Sequence, residues 1–161
     1  MKLEKAIFAC GCFWGAQYQF EHAKGVVRST VGYIGGHKEH PAYEEVKAHT
    51  TGHAEATLVE FDAEQTSFTE LCKLFFEIHD PAQTDGQGPD IGPQYRSEIF
   101  YLNDKQKEEA EAVIALLREK GYEVNTKLTP ATTFWEGEEY HQHYYDKTGG
   151  EPYCHIRVKK I

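Results

Sequence analysis

The chain has 161 residues, a length that suits one domain with a substantial hydrophobic core. Its net charge is −9, from 17 Lys and Arg against 26 Asp and Glu, and its basic cluster is confined to Arg157, Lys159 and Lys160. This balance argues against a nucleic acid partner. No apolar run approaches the roughly 20 residues of a membrane span, and the first residues carry no secretory signal. We therefore expect a cytoplasmic protein that binds neither nucleic acid nor membrane.

The first half of the chain predicts strands and helices in mixed order. Apolar runs and alternation indicate strands, and a helical spacing of apolar residues indicates helices. The expected strands are residues 5–9, 26–33 and 54–61, the expected helices are residues 13–23 and 67–79, and residues 36–41 are loop. In the second helix an apolar stripe runs from Leu71 to Ile78, and Thr66 or Ser67 can cap its start.

A glycine- and proline-rich loop opens the second half, at residues 80–94, and a loop this long inside a compact domain is usually functional. The later elements are a strand at 96–102, a helix at 104–120 ended by Gly121, an extended segment at 123–134 and a short helix after Glu138. Strands and helices without strict alternation favour an α+β fold. We predict a two-layer sandwich, with a mixed sheet, helices packed mainly on one face and a ferredoxin-like core.

Four cysteines, Cys10, Cys12, Cys72 and Cys154, would allow two disulfides. A reducing cytoplasm argues against a structural disulfide framework, and a core of this size does not need one. Such cysteines are inert core residues, metal ligands or redox-active thiols, and their neighbours in the sequence have to distinguish these alternatives.

Cys12 lies where the first strand meets the first helix. A helix N-terminus presents unpaired N–H groups and about half a positive charge, which stabilise a thiolate and lower a cysteine pKa below its free value of roughly 8.5. Gly11 allows close approach of the backbone to a substrate, while Phe13 and Trp14 place aromatic surface beside the sulfur. This arrangement suits a small apolar partner such as a methyl group or thioether. The alternative is a buried core cysteine flanked by core aromatics.

Five short segments carry a resemblance to a known family. They are Gly-Cys-Phe-Trp-Gly at 11–15, Gly-His-Ala-Glu at 52–55, His-Asp-Pro at 79–81, Gln-Tyr-Arg-Ser at 94–97 and Tyr-His-Gln at 140–142. In this order they resemble the peptide methionine sulfoxide reductase A family, and the similarity runs from Gly11 to Cys154. The resemblance implies a thiol-dependent oxidoreductase that reduces the S epimer of methionine sulfoxide and so repairs proteins after oxidative stress.

The resemblance also assigns chemistry to single residues. Cys12 matches the family's nucleophile and Glu55 its acid, because a desolvated Glu keeps its proton near neutrality. Tyr43 and Tyr95 match the two tyrosines that bind the sulfoxide oxygen. Asp90 matches a polar anchor that acts through a water or orients Tyr95. Without these motifs, the favoured interpretation of Glu55 is a solvated strand carboxylate, and that of each tyrosine is a core residue.

A second set of residues is expected to bind the substrate. This set comprises Gly11, Phe13, Trp14, His53 and Trp135. Trp135 is either an outer wall of the pocket or plain packing, and His53 either points at the site or only alternates on a strand face. Metal ligation by the nine histidines is conceivable, but no Cys-x2-Cys pair supports it, and we expect no metal.

Reduction of the sulfoxide should leave Cys12 as a sulfenic acid, which a second thiol converts to a disulfide. In many members of the family this thiol lies in a C-terminal tail after Gly-Tyr, which implies Cys154. Here Pro152 replaces that glycine, a departure from the family pattern. A disulfide with Cys10 would be strained, Cys72 is expected in the core, and an external thiol is the remaining route.

We expect residues 1–161 to form a single catalytic domain, with residues 138–161 as a mobile tail carrying Cys154. Gly149 and Gly150 would let such a tail swing over a distant site. No bound cofactor is expected, because the electrons come from thioredoxin or another dithiol. The expected substrates are oxidised proteins and free methionine sulfoxide, and the expected state is a monomer.

Two other classes of function remain open at this point. A non-catalytic module would bind methionine sulfoxide without reducing it, although loss of Cys12 or Glu55 would then be expected and both are present. A metal-binding stress protein would use His and Cys, and a metal assay would detect it.

Overall fold

A six-stranded sheet forms the centre of the protein. The computed structural model describes residues 1–48, 50–83, 86–87, 90–149, 158 and 160. The strands are β1 Leu3–Cys10, β2 Val26–Ile34, β3 Ala54–Asp62, β4 Gly86–Gln87, β5 Asp90–Ile91, β6 Ser97–Tyr101, β7 Lys127–Pro130 and β8 Trp135–Glu136. The helices are α1 Phe13–Glu21, α2 Tyr43–Lys47, α3 Phe68–Glu77, α4 Asp104–Glu119 and α5 Tyr144–Thr148.

The strand order of the large sheet is β7-β6-β1-β3-β2-β8, while β4 and β5 form a separate antiparallel pair. The four central strands, β6-β1-β3-β2, are antiparallel to one another, with α1 between β1 and β2 and α3 between β3 and β6. This is the βαββαβ order of a ferredoxin-like core. The edge strand β7 runs parallel to β6 and makes the sheet mixed, so the predicted α+β fold is confirmed.

The two faces of the sheet are covered differently. Alternate β1 residues such as Ala6 and Phe8 pack against α1, α3 and α4 in one large cluster. Ile7 and Ala9 point to the opposite face, where the segment containing Phe134 covers a smaller cluster. Because successive strand side chains point to opposite faces, this division follows from the alternation in the sequence. Helices therefore lie mainly on one face, as predicted.

Side-chain caps define the starts of the two longest helices. The Ser67 Oγ accepts a hydrogen bond from the Glu70 N–H at 3.1 Å, as one of the two predicted caps of α3. The Asn103 side chain accepts from the Gln106 N–H at 2.9 Å at the start of α4. Each bond satisfies an amide that the helix itself leaves without a partner.

Three elements differ from the sequence prediction. No element was predicted where α2 lies, and only four residues of the extended segment 123–134 form β7. The two-residue strand β8 pairs with β2, where a Cβ on Gly32 would lie 2.2 Å from the Trp135 carbonyl oxygen. Elements of two to five residues are too short for periodicity to reveal, and tertiary contacts define them.

The described part of the predicted tail is packed on the rest of the protein. Tyr144 of α5 stacks on Trp14 of α1 with ring centroids 3.8 Å apart. Further along, the Val158 N–H donates to the Glu77 carbonyl oxygen at 2.7 Å. Cys154 lies outside the described residues. No helix among the described residues is long and apolar enough to cross a bilayer.

Candidate active site

Cys12 is the residue immediately before α1, at the end of a sharp turn. Gly11 has φ +101°, a left-handed conformation that favours glycine. Cys12 itself has φ −58° and ψ 122°, so the helix begins only at Phe13. The strand β1 and the helix α1 thus hold the sulfur at their junction, as the sequence predicted.

The acidity of Cys12 differs from the expectation of a low pKa. Burial raises the pKa of the thiol well above its usual range, and the charge of Glu55 raises it further. The backbone amides of Trp14 and Gly15 lower the pKa, but their effect is smaller, and the Cys12 side chain makes no capping hydrogen bond. The desolvation cost of a thiolate therefore outweighs the helix N-terminus. In the substrate-free site, Cys12 is a thiol.

Glu55 projects from β3 toward the start of α1. One carboxyl oxygen, Oε1, accepts the Phe13 N–H at 3.2 Å, while Oε2 has no hydrogen-bond partner among the described residues. The side chain is 1% exposed, so it is not a solvated strand carboxylate. Burial, with a smaller contribution from the charge of Asp90, raises the pKa of Glu55 to about 8. At neutral pH the buried carboxyl group therefore holds its proton.

Two half-buried tyrosines complete the polar part of the site. Burial and the charges of Glu55 and Cys12 raise the pKa of Tyr43 to about 12. The pKa of Tyr95 is raised above its usual range by burial, by Glu55 and by Asp90 among others. Both phenols therefore remain protonated and can donate a hydrogen bond. These mutual electrostatic effects also show that the structure brings all five of these predicted residues together.

An aromatic cluster borders the polar groups. The Phe13 ring lies 5.1 Å from His141, 5.7 Å from Tyr33 and 6.4 Å from Tyr43, measured between ring centroids. The Trp14 Nε1–H donates to His141 Nδ1 at 3.0 Å. The tautomer of His141 is thereby set, and its Nε2–H has no partner among the described residues. The cluster provides an apolar wall beside Cys12, with donors at its edge.

Two of the predicted substrate-binding residues, His53 and Trp135, lie next to the group of polar site residues and not within it. His53 Nδ1 accepts the Gly36 N–H at 3.0 Å, and its Nε2–H donates to the Lys38 carbonyl at 2.7 Å. The Trp135 ring packs against His40 in a tilted arrangement, with ring centroids 4.5 Å apart, and also lies at the edge of the aromatic cluster. Both residues line a cavity of about 160 Å³ that none of the five polar residues lines. Both ring nitrogens of His53 are therefore occupied by hydrogen bonds to the loop that contains Gly36 and Lys38.

Sequence reasoning did not identify two residues that join this site, Tyr33 and Glu138. The Tyr33 O–H donates to Glu138 Oε1 at 2.8 Å, and the Tyr43 N–H donates to Glu138 Oε2 at 3.0 Å. These donors lower the pKa of Glu138, despite partial burial that acts the other way. The sequence signal that could have identified Glu138 is its position two residues before the Tyr-His-Gln segment at 140–142.

The other cysteines and the potential metal ligands lie in different surroundings. Cys10 and Cys72 belong to the buried core cluster on the helical face, which agrees with the expectation for Cys72. Within the described ranges, the group of side chains with metal-ligating geometry is Glu21, His143 and Asp146. This group joins α1 to α5 and includes none of the predicted site residues.

Comparison with known proteins gives consistent matches over nearly the whole chain. A family model described as peptide methionine sulfoxide reductase matches residues 4–161. The curated protein "Peptide methionine sulfoxide reductase MsrA" of Geobacter sulfurreducens is 48% identical over 151 residues, which cover 92% of this chain and 93% of the relative.

Solved structures are similar as well. The structure of Mxr1 from Saccharomyces cerevisiae in reduced form is 34% identical, with a TM-score of 0.89, over 97% of this chain and 92% of that chain. Mxr1 in complex with Trx2 matches with 23% identity and a TM-score of 0.63, over 99% of this chain and 91% of that chain. The latter likeness concerns the fold alone.

Proposed function

Because this chain belongs to the peptide methionine sulfoxide reductase family, we propose that Cys12 takes the oxygen from methionine sulfoxide while Glu55 protonates it. The family supplies the reaction, and the contacts described above support the assignment of roles to residues. The substrate is the S epimer of methionine sulfoxide, free or within an oxidised protein.

The first step is a transfer of oxygen between two sulfur atoms. The Cys12 sulfur attacks the sulfoxide sulfur, and the proton held by Glu55 passes to the sulfoxide oxygen. The thiol proton of Cys12 returns to Glu55, so the carboxyl group ends the step as it began. The oxygen leaves with the cysteine sulfur. A thiol and a sulfoxide thus become a sulfenic acid and a thioether, with atoms and electrons balanced.

A protonated Glu55 also removes one of the contributions that raise the pKa of Cys12, although burial remains the larger one. The charge of Glu55 is one of the groups that raise the thiol pKa, and a protonated carboxyl group carries no such charge. The amides of Trp14 and Gly15 then favour the thiolate as it develops. The neutral form of Glu55 is therefore suited both to donate a proton and to permit loss of the thiol proton.

The remaining groups bind the substrate. Tyr43 and Tyr95 donate to the sulfoxide oxygen, where negative charge increases during attack, and Asp90 orients Tyr95 or acts through a water. Phe13 and Trp14 accommodate the methyl group, and the backbone at Gly11 permits close approach. We retain His53 and Trp135 as outer residues of the substrate site, where a longer peptide would extend.

The single observation that best supports this proposal is the state of Glu55. A carboxyl group that is 1% exposed, with a pKa of about 8 and an unpartnered Oε2 among the described residues, is costly to keep in a core. Such a group is explained by a reaction that uses its proton. A simple packing role does not require it.

Recycling of the enzyme requires a second thiol. Cys154 condenses with the sulfenic acid of Cys12, releasing water and forming a disulfide, and a thioredoxin-type dithiol then reduces that disulfide. The core positions of Cys10 and Cys72 leave Cys154 or an external thiol for this role. No resident cofactor is needed, since cysteine carries the electrons. We further propose a monomeric cytoplasmic enzyme with one catalytic domain and a tail that moves during recycling.

The mass of the intact protein after one equivalent of methionine sulfoxide tests the function directly. The expected products are one methionine and a protein lighter by two hydrogens, the signature of a disulfide. A protein heavier by one oxygen would indicate a sulfenic acid without an internal resolving thiol. Unchanged mass and no methionine would overturn the proposal and favour a binding module. Cys12→Ser is the matched control and should yield neither product.

A further inference from the structure

Glu138 uses both carboxyl oxygens to join separate parts of the aromatic cluster. It lies two residues after the end of β8, and its oxygens accept the Tyr33 hydroxyl at 2.8 Å and the Tyr43 backbone N–H at 3.0 Å. One side chain therefore connects β2, the start of α2 and the turn that leads to His141. Neither Tyr33 nor Glu138 has a role in the reaction proposed above.

The contact with Tyr43 replaces a missing helix cap. The helix α2 has only five residues, and the residue before it is Ala42, whose side chain cannot accept a hydrogen bond. The first amides of a helix have no partner within the helix, and a carboxylate is favourable near its start. Glu138 supplies that carboxylate from a distant part of the chain. The orientation of α2, and thus of Tyr43, depends on it.

The position of Tyr43 matters because its ring is packed against the site. Its centroid lies 6.4 Å from that of Phe13 and 4.3 Å from that of His141. A tilt of α2 would move the phenol relative to the sulfur of Cys12. Other contacts hold the end of α2 and the Ala42 amide, such as the bond from the Ala42 N–H to Glu45, but none of them acts on the Tyr43 amide.

We infer that Glu138 is a positioning residue, which aims the Tyr43 hydroxyl at the sulfoxide oxygen by holding the Tyr43 backbone amide. This inference rests on the proposed function, in which Tyr43 and Tyr95 both donate to that oxygen. Two donor groups face Glu138, so both of its oxygens must accept. A Gln side chain could keep both contacts by donating its NH2 to the Tyr33 hydroxyl, whereas a Leu side chain has no polar atom, and Glu138→Leu therefore loses both contacts.

The test compares Glu138→Leu in two backgrounds. In Tyr95→Phe protein, Tyr43 is the remaining donor, and misplacing it should lower the single-turnover rate by about 10- to 100-fold. In Tyr43→Phe protein the hydroxyl is already absent, and the same substitution should change the rate by less than about twofold. The measurement is methionine formed from free methionine sulfoxide, with kcat and KM determined separately. Loss is expected in kcat, because the donor acts on charge that develops in the transition state.

Three controls make each outcome decisive. Glu136→Leu changes an exposed carboxylate two residues away and should not affect either background. Tyr33→Phe removes one donor to Glu138, leaves the Tyr43 contact, and should cost less than Glu138→Leu. Circular dichroism melts establish that each variant is folded. If Glu138→Leu does not fold, Glu138→Asp, which keeps the charge but shortens the reach, takes its place.

Equal losses in the two backgrounds would overturn the inference, because the effect would then not pass through the Tyr43 hydroxyl. Full activity of folded Glu138→Leu in Tyr95→Phe protein would also overturn it. A Tyr43→Phe, Tyr95→Phe double variant with a normal rate would remove the proposed role of the tyrosines, and the inference with it. The double variant thus separates failure of the proposed function from failure of the inference alone.

Discussion

Two buried polar regions of this protein have similar side chains and different degrees of hydrogen bonding. Between α3 and β6, His79 Nδ1–H donates to the Phe75 carbonyl at 2.5 Å, and Nε2 lies 2.7 Å from Ser97 Oγ. Ser97 Oγ is in turn 2.7 Å from Thr126 Oγ1. A histidine beside a serine resembles a catalytic pair by residue type, but these buried groups are hydrogen-bonded to one another.

The buried polar groups around Cys12 are less completely hydrogen-bonded. Glu55 Oε2 and His141 Nε2 are both buried and have no hydrogen-bond partner among the described residues. Because most buried polar atoms in proteins are paired, these two atoms indicate where a polar ligand belongs. Residue type alone would not distinguish the two regions, whereas the state of the hydrogen bonds does. The proposed chemistry belongs to the region with unpaired atoms.

The largest expected effect compares two cysteines. Cys12→Ser should abolish formation of methionine, because a serine hydroxyl does not attack the sulfoxide sulfur. Cys72→Ser changes a cysteine in the core cluster and should retain the rate per folded molecule, with some loss of thermal stability. Both variants are assayed for methionine under single-turnover conditions. Normal activity of folded Cys12→Ser would rule out the nucleophile proposed here.

Removal of the proton donor should have the next largest effect. Glu55→Gln keeps the shape and the bond from the Phe13 amide, but it has no carboxyl proton, and we expect a loss of about 10²–10⁴-fold in rate. In the natural protein, the rate should decline as pH rises through the Glu55 pKa of about 8. Stopped-flow rates from pH 6 to 10 would measure this decline, which should be absent in the variant. A loss below about threefold would assign the proton to another group.

The two tyrosines should compensate partly for each other. Tyr43→Phe and Tyr95→Phe should each cause a modest loss, and the double variant should lose about 10²-fold or more, the scale of an oxyanion donor. Single-turnover rates of the three variants measure this non-additivity. If the double variant reduced the sulfoxide at the natural rate, neither hydroxyl would contact the oxygen.

Cys154→Ser should separate the first step from recycling. The site around Cys12 is unchanged, so one methionine per enzyme should form at a near-normal rate. The enzyme should then stop as a sulfenic acid and lose about tenfold or more in turnover with thioredoxin, which requires a disulfide to attack. Cys10→Ser and Cys72→Ser are the matched controls. Unchanged turnover in all three variants would mean that an external thiol reduces Cys12 directly.

The smallest expected effect concerns stability. The pKa of Glu55 is about 8 in the folded protein, above the ordinary value of 4.5 for a glutamate side chain. Between these two pKa values the folded protein keeps the Glu55 proton, whereas the unfolded chain releases it. Proton binding therefore stabilises the folded state fully below about pH 4.5, and this stabilisation is lost as pH rises through about 8. The free energy of unfolding should fall over this range by at most a few kcal/mol, and by less in Glu55→Gln. Urea titrations from pH 5 to 9 would test this, and parallel curves for the two proteins would contradict it.

Long, regular elements of this fold could be predicted from the sequence. The alternation in β1 and β3 and the apolar stripe of α3 depend on local spacing, and each predicted element appears close to its expected position. The family motifs likewise identified Cys12, Glu55 and Tyr95, and the wider resemblance to the family added Tyr43 and Asp90, which interact electrostatically with them in the structure. The short elements α2 and β8 were missed, because two to five residues carry too little periodicity.

The sequence by itself determined the order of strands and helices, the alternation of the two sheet faces and the placement of Cys12 before a helix. Only the tertiary structure decided how acidic these groups are and what holds them. The helix N-terminus favours a thiolate, yet burial of Cys12 outweighs it. Glu138 reaches Tyr43 across 95 positions of the chain. Both outcomes depend on desolvation and on contacts between distant segments, which no local pattern of residues encodes.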